Sequence, residues 1–287
     1  VNLSHQDEAG LTLSMFMMFK MLNWRIAVCM QATEENLKML TEIGIKAIEI
    51  PGSLQINPFT VSKEDLRKMR ELSNSYGVSI VASNIIYPSG FSHTSNSDHL
   101  RRRSIEYTYR LAEAASEIGC PVLVWGSGKA RSIPSDVSVE KGFERNLEVL
   151  KTAAKAGEEF DVRFGIEPLP KNETNFVNTV EEALKLIENI NSEFIGITAD
   201  VRHMIREEQD LMESLRKAGR RIIHMHLADN NSRVPGRGII DFSKLFQCFR
   251  EIGYKDAVSI EARFTDDPRE ELRFALEVLA KSFSNVS

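Results

Sequence analysis

From Arg25 almost to the end of the chain, eight short runs of aliphatic and β-branched residues alternate with longer stretches of helical character. No other feature restricts the fold so strongly, because strands separated by helices pair in parallel through helical crossovers. The strands read as Arg25–Cys29, Lys46–Ile50, Ser79–Ser83, Val122–Gly126, Arg163–Glu167, Ile195–Asp200, Ile222–Leu227 and Ala257–Glu261. Between them, sets such as Leu37, Leu40 and Ile43, or Leu272, Ala275 and Leu279, carry the three- and four-residue spacing of a buried helix face. Gly44, Gly77, Gly119, Gly219 and Gly253 each stand just before a strand, where a helix stop belongs. Eight such units without a linker or composition break predict an α/β chain folded as a single (β/α)8 barrel. Residues 1–23 are assigned to a short N-terminal extension and 24–287 to the barrel. An open doubly wound sheet would usually show a Gly-rich phosphate turn after its first strand, and the residues that follow Cys29, Met-Gln-Ala-Thr-Glu-Glu-Asn, contain no glycine.

The charge balance narrows the partners. The 287 residues hold 36 Lys and Arg against 41 Asp and Glu, a formal charge of −5, which leaves no general basic footprint for nucleic acid. Cys29, Cys120 and Cys248 are odd in number and far apart, which suits reduced thiols of a cytoplasmic protein. The apolar segment Leu11–Trp24 is interrupted by Lys20 and falls short of the ~20 residues of a membrane span. It follows Asp7 and Glu8 rather than a basic leader, so no membrane insertion is expected and the N-terminal residues are read as an extension packing on the fold or as an upstream start that adds little.

Barrel enzymes place their reactive groups at the C-terminal ends of the strands. Strand five ends in Glu167, strand six in Asp200, strand seven carries His226 and strand eight ends in Glu261. Side chains alternate along a strand, and Gly165, Thr198, His224 and Ser259 share the phase of these four. The opposite phase holds Phe164, Ile166, Ile195, Ile197, Met225, Leu227, Val258 and Ile260, the apolar set that faces surrounding helices. The small and polar set is therefore the interior. Three carboxylates gathered at one mouth would repel each other unless a cation neutralised them. One imidazole with three carboxylates suits one divalent metal ion, Mn²⁺, Mg²⁺ or Co²⁺, with Zn²⁺ as an alternative. Such an ion polarises a carbonyl and acidifies the neighbouring C–H, whose proton a flanking carboxylate can remove.

The runs Glu167-Pro-Leu-Pro-Lys-Asn-Glu173, Thr198-Ala-Asp200-Val-Arg-His203, His224-Met-His226-Leu-Ala-Asp229 with Val234-Pro-Gly-Arg-Gly238, and Ser259-Ile-Glu261 resemble the xylose isomerase-like TIM barrels, the sugar phosphate isomerase/epimerase group. Within it the chain looks most like ketose 3-epimerases and hydroxypyruvate isomerases, over roughly Arg25 to Phe283. The resemblance implies metal ligation by Glu167, Asp200, His226 and Glu261. It implies acid/base catalysis by Glu167 and Glu261 on opposite faces of a small sugar or keto-acid, through a cis-enediolate, giving epimerisation or, where the proton returns to the neighbouring carbon, aldose–ketose isomerisation. It also implies substrate contacts from Glu173 and His203, and a homo-oligomer. In the 3-epimerases an arginine six residues beyond the histidine ligand contacts substrate; here that position is Ser232, with Arg233 beside it. Arg233 is taken as the shifted contact.

Further candidates lie on other strand ends. Trp125 and Arg131 flank the Gly-rich turn after strand four and are read as substrate-binding. Glu49 ends strand two and could serve the substrate or the ligands; His224 lies one layer below His226 and suits a supporting hydrogen bond. His93 and His99, in the Ser- and Asn-rich loop after strand three, are read as exposed. The competing chemistry is a metal-dependent dehydratase or lyase acting on a keto-polyol such as an inosose. A zinc-cluster phosphodiesterase on this fold would need more histidines than the six present.

Overall fold

The structure is a computed structural model that describes residues 24–284. The reading of residues 1–23 as an extension lies outside the described residues. Eight parallel strands pair in sequence order and close, β8 on β1, into a barrel. They are β1 (Ile26–Cys29), β2 (Ala47–Pro51), β3 (Ser79–Asn84), β4 (Val122–Trp125), β5 (Arg163–Ile166), β6 (Ile195–Asp200), β7 (Ile222–Leu227) and β8 (Val258–Ile260). Each boundary lies within one residue of its expected place. Glu167 and Glu261 consequently stand one residue beyond their strands, at the open rim.

The helices begin and end on side-chain chemistry that the sequence displays. Ser62 with Asp65 and Thr179 with Glu182 form capping boxes, satisfying orphan N–H groups at two helix starts. The glycines ahead of β2, β3, β4 and β8, Gly44, Gly77, Gly119 and Gly253, adopt positive φ, a conformation that costs other residues more. The helix ring packs on Phe164, Ile166, Ile195, Ile197, Met225, Leu227, Val258 and Ile260, all buried in one continuous core. At the lower end of the interior Ala27, Ala47, Val81 and Ala257 form a small cluster of their own. Just before β1, Trp24 packs on Phe246, Phe249 and Phe283 and donates its indole N–H to the Tyr254 carbonyl at 2.6 Å. Among the described residues no helix is long and apolar enough to cross a membrane.

The loop between β3 and the helix Asp98–Glu117 departs from expectation at His93. The ring is 1% exposed, stacked on Trp125 at 5.6 Å and edge-on to Tyr87 at 4.6 Å, with Nδ1 3.3 Å from Oδ1 of Asn146. His99 is exposed, as expected. Local polarity suggested a solvated loop, but the aromatic side chains beneath it draw His93 inward. The Thr94 hydroxyl donates to the Ser132 carbonyl and the Thr94 carbonyl accepts from the Arg145 guanidinium, which ties the same loop to its neighbours.

Burial pushes the His93 imidazole down to about 3, aided by the charge of Arg131 and opposed by its bond to Asn146. The unfolded ring binds a proton near pH 6.5 while the folded ring does not, so acid favours the unfolded chain. Relative to His93→Phe, the wild type should lose roughly 1 kcal/mol per pH unit below about pH 6.5. Urea unfolding of both proteins at pH 7 and pH 5 measures this. A gap between them that does not move with pH would refute the buried neutral histidine.

Candidate active site

Four side chains converge at the C-terminal mouth. Glu167, Asp200, His226 and Glu261 each present a ligand-type atom, and these atoms lie within 4.8 Å of one another. Nδ1 of His226 is 3.1 Å from Oε1 of Glu167, 3.3 Å from Oε2 of Glu261 and 3.9 Å from Oδ2 of Asp200. Glu167, Asp200 and His226 are buried, whereas the Glu261 side chain is 24% exposed and forms the open edge. Ligands at ~2.1 Å in an octahedron stand ~3.0 Å apart when adjacent and ~4.2 Å when opposite, so this cluster has the dimensions of a single cation site. A second group, Cys29, Glu49 and His226, is equally close, but burial and the Glu49 carboxylate push the Cys29 thiol well up, which makes it a poor ligand.

Each group is held from behind. Wholly buried Glu49 receives Nε2 of His226 at 3.0 Å on one oxygen and Nε2 of His224 at 2.7 Å on the other. Register places His224 beside Thr198 and His226 beside Asp200 and Ser259, so one interior layer supports the next. Ser259 completes the lower layer, its hydroxyl 3.2 Å from the His224 ring. Asp200 ends β6 and caps the helix Val201–Glu207, its Oδ1 accepting the His203 N–H at 3.0 Å. Asn84 donates to Oε1 of Glu261 at 2.9 Å. Gly126 leaves room for Glu167: a Cβ there would collide with Oε2 of that carboxylate.

The environments separate the carboxylates. Burial works against ionisation of Glu167, yet bonds from His203 and His226 hold its carboxyl well below the usual range. Burial raises Glu261, and its neighbours Glu167 and Asp200 reinforce the rise against the pull of His226. For His226 burial favours the neutral ring, but the charges of Glu49 and Glu261 and the bond to Glu167 outweigh it and hold the imidazole well above its ordinary value. Glu49 itself lies well below the carboxylate range, because the two imidazoles overcome its burial.

The other expected contacts divide. His203 reaches the cluster, Nδ1 3.6 Å from Glu167 and 3.5 Å from Asp200, and Nε2 is 3.9 Å from half-exposed Glu173. Arg131 does not face the mouth. Its guanidinium is fully buried, lies 4.9 Å from the Trp125 ring, and donates to the carbonyls of Trp125 at 2.8 Å and Glu167 at 2.6 Å. Trp125 is 1% exposed and forms a wall of the core rather than a sugar floor. Arg233 turns to the loop after β8 and binds Glu271 at 2.7 Å. Two residues at the mouth were not anticipated. Asn84 falls one position beyond the expected end of β3, and Arg202 lies between two candidates, a position whose spacing from Asp200 was itself the signal.

The Xylose isomerase-like TIM barrel family matches residues 37–282, and the chain belongs to that family. A D-psicose 3-epimerase of Enterocloster bolteae is 28% identical over 79% of this chain and 76% of its own length. A 3-dehydro-D-guloside 4-epimerase of Escherichia coli is 24% identical over 84% of this chain and 92% of its own. Among solved structures, a D-psicose 3-epimerase from Clostridium cellulolyticum H10, determined with D-tagatose, superposes with a TM-score of 0.74 at 18% identity, covering 91% of this chain and 98% of that one. At that identity the likeness speaks for the fold.

Glu49→Ala would leave two buried imidazoles without their shared acceptor. It should cost about 3 kcal/mol or more of stability, while Glu173→Ala, on the half-exposed rim, should stay within about 0.5 kcal/mol. Urea denaturation of the metal-free proteins at pH 7 tests the contrast; equal costs would contradict it.

Proposed function

We propose that this protein is a divalent-cation-dependent sugar epimerase acting on a small ketose by proton transfer through a cis-enediolate. As an enzyme it belongs to the isomerase class, in keeping with relatives that are epimerases of D-psicose, 3-dehydro-D-guloside and L-ribulose. The supporting observation is the convergence of Glu167, Asp200, His226 and Glu261, with Glu49 holding the far side of the His226 ring. The donor set fits a cation: three carboxylates gathered around the inward nitrogen of a clamped imidazole match an oxygen-preferring ion such as Mn²⁺, Mg²⁺ or Co²⁺. When bound, that ion would neutralise the carboxylates and acidify the C–H beside the substrate carbonyl.

The chain's own groups do the rest. Glu167 projects from β5 and Glu261 from β8, so a sugar lying across the mouth has one carboxylate toward each face. One takes the proton from the carbon, and the other supplies a proton on the opposite face, which inverts the centre. His203 and Glu173, adjoining each other beside Glu167, would hold hydroxyls of the sugar, a reading their closeness to that carboxylate supports.

Incubation of the Mn²⁺-loaded protein in D₂O with D-psicose, L-ribulose, D-tagatose and an inosose, followed by NMR, tests the reading. Epimerisation with deuterium incorporated at the inverted carbon is expected. Glu261→Gln and Glu167→Gln should each lower the rate by roughly 10²–10⁴-fold. Loss of water from the inosose would identify a dehydratase instead, and absence of exchange with every sugar would refute proton transfer.

A further inference from the structure

The 3-epimerase pattern places a substrate-contacting arginine at the position held here by Ser232, and Arg233 is committed to Glu271. The mouth nevertheless contains a guanidinium. Arg202, in the first turn after β6, sets Nη2 at 2.7 Å from Nε2 of His203, 3.2 Å from Oδ2 of Asp200 and 3.3 Å from Oε2 of Glu261. Among the described residues it is the one arginine or lysine ion-paired with the acidic cluster. Its side chain is 22% exposed and its Nε has no hydrogen-bond partner, so the contacts of the guanidinium run through Nη2 to His203 and the two carboxylates. Arg131 shows the opposite condition, buried and bound to backbone carbonyls.

The oxygens that Arg202 takes are the ones turned toward the His226 ring. Oε2 of Glu261 and Oδ2 of Asp200 are the atoms nearest Nδ1 from those residues. A divalent cation drawing on the same two oxygens would sit within a few Å of a positive guanidinium, and the two charges repel.

We propose that Arg202 is the specificity arginine of this site, standing in for the one that position 232 lacks. Before the cation binds, Arg202 neutralises Asp200 and Glu261. Displaced by the cation, the guanidinium remains tethered at the mouth beside His203 and donates to oxygen atoms of the sugar away from the reacting carbon. The proposal rests on the epimerase reading for its second role; the first needs only a cation.

Arg202→Gln removes the competing charge, and Arg202→Lys retains it with a shorter, single-pronged donor. Circular dichroism verifies folding, and calorimetric titration with Mn²⁺ reads the competition. Arg202→Gln should bind Mn²⁺ about 10-fold more tightly than wild type, with Arg202→Lys in between. On a ketose that the wild type epimerises, Arg202→Gln should raise KM about 10-fold or more and change kcat less than about threefold, the mark of lost binding rather than lost chemistry. Unchanged or weaker Mn²⁺ binding by Arg202→Gln overturns the proposal, and an unchanged KM overturns its second role. A wild type that binds Mn²⁺ but epimerises no ketose refutes the epimerase reading, and the Mn²⁺ comparison still decides the competition. A wild type that binds no Mn²⁺ overturns both.

Discussion

The arrangement of the mouth depends on one buried carboxylate. Glu49 lies inside the barrel, fully withdrawn from solvent, and both its oxygens receive histidine nitrogens. An ionised group at that depth is tolerable only when opposed and hydrogen-bonded, and two imidazoles meet both conditions. The consequence passes outward. With Nε2 of His226 occupied by Glu49, the ring has one orientation, and Nδ1 faces the three carboxylates of the rim. The interior thus replaces an aliphatic filling on one side with a polar column, Ser259, His224, Glu49 and His226, rising from a floor of small residues.

Much of this was legible because barrel strands convert position into direction. A residue in phase with Gly165, Thr198, His224 and Ser259 must point inward, so the four rim groups could be assigned to one mouth from alternation alone. The helix stops were legible for an equally local reason, the positive φ of glycine. The misread residues are those whose fate depends on distant neighbours. Arg131 has a long, flexible side chain, and nothing in its own segment reveals that the carbonyls of Trp125 and Glu167 lie within its reach. His93 sits in polar sequence but is drawn under by Tyr87 and Trp125. Arg233 finds Glu271, thirty-eight residues away. Register determines where a strand residue points, whereas loop side chains are placed by tertiary packing.

The same distinction separates what the barrel shares with its relatives from what is its own. The rim acids and the histidine stand on strand ends, where geometry permits little variation. The candidate sugar-facing residues stand on the loops that follow, and there the chain departs from the 3-epimerase pattern at Ser232.

The buried guanidinium of Arg131 has a mechanical consequence. Its Nη2 also lies 3.4 Å from the Val177 carbonyl, while Leu169 and Thr174 are bridged by the Asn178 amide at 2.7 and 3.0 Å. The segment between Glu167 and Val177, which carries Glu173, is therefore clipped to the base of the preceding loop at both ends. It forms a rigid jamb rather than a flap. Transplanting this loop from a relative to alter substrate choice would have to import Arg131 and its carbonyl partners as one block, because a graft that broke the clip would also release the backbone that aims Glu167.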